Sequence, residues 1–315
     1  MQLLVRSTAM LAEDVLSLEL ASPDGEPLAP FTAGAHIDLQ LGNGCMRSYS
    51  LVNDPAERHR YVVAVHKTPA SRGGSQWIHE SLEAGRLIEV GGPRNNFELV
   101  EDACLVVLFA GGIGITPLLC MIRRLESLGR PWKLFYGVRS RARCAYLREI
   151  EVLGQKHPGR VNVHIDEVAG RAPMDMRSLV EQVPADAHLY CCGPAPMLAD
   201  FEAATSGRPA AHVHVEYFSA RQEAAVAGGF EVVLARSKRS VRVGTGASIL
   251  TTLLEAGIDV MHACREGVCG ACQTGVVEGE PDHRDSYLSP QEKNSGRTML
   301  LCCSGSKRDV LVLDL

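Results

Sequence analysis

Short apolar runs separated by turn residues dominate the first hundred residues of the chain. HIDLQL (36–41) and RSYSLV (47–52) flank the tripeptide Gly42-Asn43-Gly44, which is typical of a tight hairpin turn. YVVAVHK (61–67) has the same strand-like pattern. Several short strands joined by such turns predict a small antiparallel β-barrel or sandwich.

From Cys104 onward, continuous apolar runs alternate with segments of helical period. The predicted strands are CLVVLFA (104–110), KLFYGVR (133–139), VNVHIDE (161–167), HLYCCGP (188–194) and HVHVEYF (212–218). The predicted helices between them are LLCMIRRLESLG (118–129), AYLREIEVLGQK (145–156) and PMLADFEAAT (196–205). Buried strands that alternate with helices predict a parallel, doubly wound α/β sheet.

A small, polar and Ala/Gly-rich stretch at 219–229 separates this region from a third one. There, FEVVLA (230–235) and SVRV (240–243) resemble strands, and ASILTTLLEAGI (247–258) predicts a helix capped by Ser248 and ended near Gly257. The predicted organisation is a β-barrel domain at 1–101, an α/β domain at 102–221, a linker at 222–229 and a small C-terminal domain at 230–315.

Composition narrows the class of protein. The chain is 46% hydrophobic and 22% charged, which is too apolar for a disordered protein. A formal net charge of −5 and the lack of a basic tract argue against nucleic acid as a partner. The first residues lack the apolar core of a signal peptide, and the sequence has no run of 18 apolar residues. We therefore expect a cytoplasmic protein that binds neither membrane nor nucleic acid. We also expect a monomer.

Four of the eleven cysteines form a pattern of their own. Cys264, Cys269, Cys272 and Cys302 are spaced C-x4-C-x2-C-x29-C, and the first three have the spacing of plant-type [2Fe–2S] proteins. Structural zinc is the alternative, although zinc sites favour paired C-x2-C units and only one occurs here. Cys303 is the alternative fourth ligand. We interpret the other cysteines as buried thiols of the core, and the histidines do not have the spacing of metal ligands.

A glycine-rich segment, GGIGITP (111–117), follows an apolar strand and precedes a helix. Backbone N–H groups at such a junction can bind a pyrophosphate. The segment departs from the G-x-G-x-x-G fingerprint because Pro117 stands where the third glycine belongs. By itself, it is also consistent with a tight β–α turn that binds nothing.

Seven motifs together resemble one known family. They are RSYS (47–50), SRGGS (71–75), GPRNNF (92–97), GGIGITP (111–117), YCCGPAPM (190–197), EYF (216–218) and the C-terminal cysteines. In this order they are similar to the phthalate dioxygenase reductase family, relatives of ferredoxin–NADP reductase with a C-terminal ferredoxin, and to vanillate O-demethylase reductase subunits. The resemblance implies a β-barrel flavin domain, an α/β NAD domain and a β-grasp plant-type ferredoxin domain.

The resemblance also implies an FMN site. Tyr49 would contact the isoalloxazine, Arg47 the phosphate and Ser50 the reactive flavin nitrogen. The residues assigned to this cofactor are Arg47, Ser48, Tyr49, Ser50, Ala64, Val65, Ser71, Arg72, Gly73, Gly74 and Ser75. Taken alone, RSYS is also consistent with an ordinary barrel strand and SRGGS with a solvated turn. FMN is preferred over FAD because no separate adenine-stacking aromatic follows SRGGS.

For NADH, the resemblance assigns the glycine-rich turn, the end of the second α/β strand and the CGP motif. The residues are Gly111, Gly112, Gly114, Thr116, Pro117, Arg139, Ser140, Cys192, Gly193, Pro194 and, as a flavin shield, Phe218. The catalytic residues would be Cys192, Thr116, Ser50 and Phe218. Cys192 and Phe218 are also consistent with core residues. Arg141 and Arg143 stand near a position that is acidic in some NADH-specific relatives, so NADPH stays open beside NADH.

Cofactor chemistry orders these sites. NADH delivers two electrons as a hydride, a [2Fe–2S] cluster takes one, and FMN can accept a hydride and release electrons singly. The predicted function is therefore electron transfer from NADH through FMN and [2Fe–2S] to the Rieske-type terminal oxygenase of an aromatic-ring oxygenase or O-demethylase system. The alternatives are another electron acceptor, or a non-enzymatic iron–sulfur or zinc redox sensor.

Overall fold

The computed structural model describes residues 1–69, 71–170 and 172–315, which form two compact units. The first unit comprises Met1–Glu216 and the second comprises Tyr217–Leu315. The first unit contains a seven-stranded sheet and a five-stranded sheet, and the second contains a five-stranded sheet and a two-stranded one. The predicted barrel and most of the predicted α/β domain therefore lie within one unit.

The seven-stranded sheet of the first unit is antiparallel and closes into a barrel. Its strands are β1 (Gln2–Ala12), β2 (Val15–Ala21), β3 (Ala35–Gln40), β4 (Met46–Ser50), β5 (Tyr61–His66), β6 (Leu87–Val90) and β7 (Arg94–Asn95). They follow the order β4-β3-β6-β1-β2-β5, with β7 beside β3. A bridge between Leu51 and Val63 joins the two ends of this order and closes the sheet.

The hairpin predicted around Gly42-Asn43-Gly44 is confirmed, since β3 and β4 pair antiparallel across it. Two features of the barrel were not predicted. The long strand β1 has a mixed polar sequence, and helix α1 (Gly74–Ser81) begins inside the SRGGS motif. The solvated-turn interpretation of SRGGS is wrong for its second half, which forms the first turn of α1.

The five-stranded sheet of the first unit is parallel, as the alternation of strands and helices predicts. Its strands are β8 (Val106–Gly111), β9 (Trp132–Val138), β10 (Val161–Ile165), β11 (His188–Cys192) and β12 (Val213–Glu216). The helices are α2 (Ile115–Ser127), α3 (Leu147–Lys156), α4 (Met176–Glu181) and α5 (Ala195–Thr205). All six residues of β8 are buried, as expected for a central strand covered on both faces.

The strand order β10-β9-β8-β11-β12 reverses direction between β8 and β11. In open parallel sheets, such a reversal creates a crevice at the carboxyl ends of the two strands, where ligands bind. One predicted boundary is wrong: β12 ends at Glu216, so Tyr217 and Phe218 do not extend the strand.

The second unit has the β-grasp arrangement of a helix against a mixed sheet. Its elements are β13 (Phe230–Leu234), β14 (Arg239–Val243), α6 (Ile249–Glu255), β15 (Gln273–Glu278), β16 (Pro281–Asp282), α7 (Pro290–Ser295), β17 (Thr298–Leu300), β18 (Gly305–Ser306) and β19 (Val310–Leu313). The main sheet has the order β14-β13-β19-β15-β17, with β13 parallel to β19. The predicted cap of α6 is confirmed, because Oγ of Ser248 accepts a hydrogen bond from the Thr251 N–H.

Part of the segment predicted as a linker is attached to the second unit. The Ala225 N–H donates to the Cys303 carbonyl over 2.7 Å, and the Gly246 N–H donates to the Val226 carbonyl over 2.8 Å. Among the residues that the structure describes, no helix is long and apolar enough to span a membrane.

Candidate functional site

The RSYS and SRGGS motifs meet at one end of the barrel. Arg47 lies on β4, and its Nη2 donates to the Arg72 carbonyl over 3.2 Å. A β-carbon on Gly74 would lie 2.8 Å from both Cγ and Nε of Arg47. The Arg47 side chain therefore packs directly against the first turn of α1, and a β-carbon at position 74 would displace it.

The arrangement around Arg47 has the properties of an anion site. The first N–H groups of a helix lack carbonyl partners within the helix and carry partial positive charge. Gly73, which precedes α1, has a φ of 88°, a conformation that glycine adopts without strain. The hairpin turn supports this loop, since Nδ2 of Asn43 donates to the Gly73 carbonyl over 2.9 Å. A guanidinium beside a helix N-terminus fits the phosphate of FMN.

Hydroxyl groups of the loop are already engaged with each other. Oγ of Ser75 donates to Oγ of Ser71 over 3.1 Å and accepts from the Thr68 N–H over 3.2 Å. These bonds hold the loop that leads into α1. Ala70, between Thr68 and Ser71, lies outside the described residues.

The rest of RSYS faces the interior or the rim of the barrel. Oγ of Ser48 donates to Asp38 over 2.6 Å, while Ser50 is buried beside β3. Tyr49 is partly buried, and burial raises the pKa of its hydroxyl, so the ring stays neutral at physiological pH. An uncharged aromatic ring at this position fits contact with an isoalloxazine.

Ala64 and Val65 are buried in β5. The Val65 carbonyl is 2.8 Å from Nε2 of His79 in α1, which ties the helix to the barrel wall. This contact positions α1 relative to β5, and the side chains of Ala64 and Val65 belong to the barrel core.

The glycine-rich turn and the CGP motif touch at the carboxyl edge of the parallel sheet. A β-carbon on Gly111 would lie 3.2 Å from Cα of Gly193 and 2.6 Å from Cδ of Pro194. A β-carbon on Gly114 would lie 2.1 Å from the Cys192 carbonyl oxygen. The two motifs thus form one surface at the crevice between β8 and β11, where a dinucleotide pyrophosphate fits.

Within this turn, Gly112 has a φ of 52° and begins a short 3₁₀ turn that leads into α2. Pro117 is among the first residues of α2, where its missing N–H costs no helical hydrogen bond. Thr116 is buried, and its Oγ1 donates to the Ile113 carbonyl over 3.0 Å. In this arrangement the Thr116 hydroxyl stabilises the turn.

Sequence reasoning missed a partly buried acid, Glu216, beside Cys192. Glu216 pairs with Cys192 across β11 and β12, and its Oε2 is buried with no hydrogen-bond partner among the described residues. Burial raises the pKa of Glu216 to about 8. Burial, together with Glu216, also raises the pKa of the Cys192 thiol well above its usual range. Both groups are therefore protonated at neutral pH. The sequence pattern that could have identified Glu216 is the strand alternation in HVHVE, which puts this acid at the carboxyl edge of β12.

Arg141 and Arg143, which follow β9, have carboxylate partners. Arg141 lies 2.5 Å from Glu151, and Arg143 lies 3.1 Å from Glu13. Arg139 is exposed, and its carbonyl accepts from the Glu167 N–H over 3.1 Å. Ser140 follows it and precedes a 3₁₀ turn.

Phe218 belongs to the second unit and is 38% exposed, so the interpretation of this residue as a core aromatic is wrong. It lies outside regular secondary structure, two residues beyond the end of β12.

The four cysteines of the C-x4-C-x2-C-x29-C pattern form two pairs in the second unit. The side chains of Cys264 and Cys269 are in hydrogen-bond contact, and so are those of Cys272 and Cys302. These contacts, together with burial, raise the pKa values of Cys264 and Cys272 well above the usual range. All four side chains are nearly inaccessible.

Two thiol pairs fit a [2Fe–2S] cluster, which four cysteines hold with two on each iron. Gly267 and Gly270 have φ values of 70° and 74°, so the loop curves around the thiols in a way that glycine permits. The Gly267 N–H donates to the Cys302 sulfur, and the Glu266 N–H donates to Cys264 Sγ over 3.3 Å. Such N–H···S bonds stabilise thiolate ligands.

Cys303 lies close to the same loop. A β-carbon on Gly267 would come 2.5 Å from Cys303 Sγ. However, it is the side chain of Cys302 that contacts Cys272 and completes the second pair.

Comparison with known proteins identifies the domains to which the glycine-rich turn and the cysteine pairs belong. Residues 108–203 match an oxidoreductase NAD-binding domain, and residues 232–306 match a 2Fe-2S iron-sulfur cluster binding domain. The chain is 38% identical to a phthalate 4,5-dioxygenase oxygenase reductase subunit of Pseudomonas putida, over 97% of this chain and 94% of the relative. The chain belongs to the phthalate dioxygenase reductase family.

A second relative and a solved structure support the same family. Phenoxybenzoate dioxygenase subunit beta of Ectopseudomonas oleovorans is 51% identical over 99% of this chain and 96% of its own length. A crystal structure of phthalate dioxygenase reductase, described as a modular structure for electron transfer from pyridine nucleotides to [2Fe-2S], superposes with a TM-score of 0.77. It is 38% identical, and the match covers 100% of this chain and 98% of that one.

As a member of this family, the chain is an oxidoreductase that carries electrons from NADH through FMN to a [2Fe–2S] cluster. The barrel, the α/β sheet and the β-grasp unit are therefore its flavin, NAD and ferredoxin modules. The predictions of fold, family and cofactors are confirmed.

Proposed function

We propose that this chain is the reductase component of a Rieske-type oxygenase or O-demethylase, which receives its electrons from the [2Fe–2S] cluster. The observation that carries the proposal is the pair of thiol pairs, Cys264 with Cys269 and Cys272 with Cys302. A cluster held by these thiols would release electrons one at a time, whereas NADH, the donor to this protein, gives up two electrons together. A phthalate 4,5-dioxygenase reductase subunit with 38% identity supports an oxygenase as acceptor.

In the flavin site, Arg47 and the loop from Ser71 to Ser75 would bind the FMN phosphate. The contact of Arg47 with Gly74 supports this assignment, because it holds the guanidinium at the N-terminus of α1. Tyr49 would pack against the ring system, and Ser50 would approach the reactive nitrogen. When bound, FMN supplies hydride acceptance and one-electron release, which no side chain of the protein provides.

In the nicotinamide site, residues Gly111 to Pro117 would bind the pyrophosphate and Cys192 would border the nicotinamide. Glu216 lies beside Cys192 as a neutral carboxyl group, and the Cys192 thiol is also neutral. Neither group therefore places a negative charge beside the hydride donor. Phe218 would cover the flavin until nicotinamide displaces it. NADH is proposed over NADPH because Arg141 and Arg143 already pair with carboxylates.

We propose that Cys264, Cys269, Cys272 and Cys302 are the ligands of the [2Fe–2S] cluster. The functional division follows domains 1–101, 102–221 and 230–315 with a linker at 222–229. Because Ala225 and Val226 bond to the second unit, the freely moving part of the linker would end before residue 225. None of the eleven cysteines forms a disulfide, which supports action in the reducing cytoplasm. We also propose that the chain is a monomer.

Reconstitution tests the choice of acceptor. Purified holoenzyme, NADH and a purified Rieske-type oxygenase are mixed without oxygen, and electron paramagnetic resonance (EPR) follows the reduced Rieske centre. Appearance of its signal within seconds, dependent on this reductase, supports the proposal. Rapid reduction of the reductase's own cluster with no electron passing to any Rieske oxygenase tested would overturn it.

A second acceptor class has its own support. Tetrachlorobenzoquinone reductase of Sphingobium chlorophenolicum is 47% identical over 99% of this chain and 97% of that relative. Under this alternative, the reductase would pass electrons directly to a quinone. Steady-state NADH oxidation with a halogenated benzoquinone, compared with the oxygenase assay at equal enzyme concentration, separates the two functions.

A further inference from the structure

A fully buried carboxylate lies behind the iron–sulfur loop. Asp285 stands between β16 and α7, and its side chain is 0% exposed. The neighbouring Ser286 N–H donates to the Gly267 carbonyl over 3.0 Å. A β-carbon on Gly267 would lie 3.1 Å from Cα and 3.2 Å from Cβ of Asp285. Asp285 is therefore in van der Waals contact with the middle of the loop.

The carboxylate shapes the turn that supports this loop. Oδ2 of Asp285 accepts hydrogen bonds from the Tyr287 N–H over 3.2 Å and from the Leu288 N–H over 2.8 Å. The turn presents the ring of Tyr287 to Gly270, where a β-carbon would lie 2.3 Å from Cζ. Both glycines of the loop thus rest on a segment that Asp285 organises.

A lysine balances the buried charge. Nζ of Lys293 donates to the Asp285 carbonyl over 2.6 Å and lies 3.4 Å from Oδ2. Lys293 belongs to α7, which begins with a capping box formed by Ser289 and Glu292. Asp285 Oδ1 has no hydrogen-bond partner among the described residues.

A third titratable group faces the carboxylate. Nδ1 of His283 is 3.6 Å from Oδ1 of Asp285, and burial lowers the pKa of this imidazole, so it is neutral at pH 7. Lys293 therefore supplies the positive charge of the group. Charges buried in a protein interact more strongly than charges in water, so this pair acts on its surroundings beyond contact distance.

We propose that Asp285, paired with Lys293, is a positioning residue for the iron–sulfur loop, and that its charge lowers the reduction potential of the cluster. It holds Gly267, whose N–H donates to the Cys302 sulfur. Reduction adds an electron to the cluster, and a nearby carboxylate opposes that added negative charge. The proposal rests on the ligand assignment made under the proposed function.

Two variants with opposite charge changes test this assignment. Asp285→Asn keeps an oxygen that can accept from Tyr287 and Leu288 but removes the negative charge. Lys293→Gln removes the balancing positive charge. Redox titrations of the holoenzyme at fixed pH, followed by EPR, should show a more positive cluster potential for D285N and a more negative one for K293Q. K293R should restore the wild-type potential, and the exposed control D309N should leave it unchanged.

Opposite shifts separate an electrostatic role from general loosening of the loop, which would move both variants in the same direction. Wild-type potentials in D285N and K293Q with full iron content, or shifts of the same sign, would overturn the proposal. Should D285N fail to hold the cluster, the difference between K293Q and K293R decides the question. Iron and sulfide content measured on the same samples tests the ligand assignment independently of the potential.

Discussion

Gly114 lies so close to Cys192 that no side chain fits between them. A β-carbon on Gly114 would stand 2.1 Å from the Cys192 carbonyl oxygen and 2.4 Å from its carbonyl carbon. Gly114 has an ordinary φ of −62°, so its requirement for glycine is steric and does not come from its backbone conformation. The contact joins the glycine-rich turn to the CGP motif, the two segments that we propose bind the dinucleotide.

Gly114→Ala should therefore separate the two motifs. We expect at least a tenfold loss of kcat/KM for NADH-driven ferricyanide reduction, because small displacements of a bound substrate slow its reaction strongly. Flavin content, measured by absorbance, should be retained, since the barrel is untouched. The control is Gly207→Ala, where nothing lies within 4 Å of the new β-carbon. Equal activity of both variants would contradict this account of Gly114.

The phosphate assignment predicts a selective loss of FMN. Arg47→Gln removes a guanidinium that packs on Gly74, and a hydrogen bond to a charged group contributes about 1.5–3 kcal/mol. The Kd of the apoprotein for FMN, measured by quenching of flavin fluorescence, should rise roughly 10- to 150-fold. The cluster spectrum should be unchanged. Arg6→Gln changes an exposed barrel arginine, and an equal loss of FMN in this control would argue against a specific role for Arg47.

Much of this organisation is readable from the sequence, but only where signals are local. The turn at Gly42-Asn43-Gly44 and the Ser248 cap each act over a few residues, and each predicts its element correctly. The thiol spacing predicts a 2Fe-2S domain, which residues 232–306 match. Helix α1 escaped prediction because it is eight residues long and starts at two glycines, so packing on β5 stabilises it more than propensity does.

Single acids defined by tertiary contacts were beyond such reasoning. Asp285 stands in a polar segment with no periodicity, and its burial results from contact with Gly267 and Lys293. For Glu216, strand alternation places the residue at the carboxyl edge of β12, but its environment depends on the parallel pairing of β12 with β11. The family resemblance included the EYF motif, yet only its aromatic residue was assigned a role.

The thiol pairs predict which of two adjacent cysteines is the fourth ligand. Cys302→Ser should lose the red-brown absorption of the cluster and NADH-driven cytochrome c reduction, because it breaks the pair with Cys272. NADH-driven ferricyanide reduction through FMN should remain within about twofold of wild type, since the NAD and flavin residues are untouched. Cys303→Ser, the matched control, should keep its iron. Loss of iron in C303S with retention in C302S would exchange the two assignments.

Glu216 predicts a pH dependence of stability. Its pKa is about 8 in the folded chain, whereas the ordinary value is 4.5. Between these values the folded state holds a proton that the unfolded state has released, so this group's contribution to stability falls as pH rises. In Glu216→Gln this position cannot titrate. The Tm of the variant should therefore fall less between pH 5 and pH 8 than the Tm of wild type, as measured by differential scanning fluorimetry. Parallel Tm profiles would show that Glu216 is ionised in the folded protein.

The ion pair between Arg141 and Glu151 predicts a modest effect on nucleotide choice. Both side chains are largely exposed, at 65% and 45%, and exposed pairs contribute only about 0.2–1 kcal/mol. Freeing Arg141 by Glu151→Gln should therefore raise kcat/KM for NADPH by no more than about fivefold and leave that for NADH unchanged. Glu181→Gln changes an exposed acid on α4 and serves as the control. A wild-type enzyme that uses NADPH as efficiently as NADH would show that the pair with Glu151 does not keep Arg141 from a 2′-phosphate.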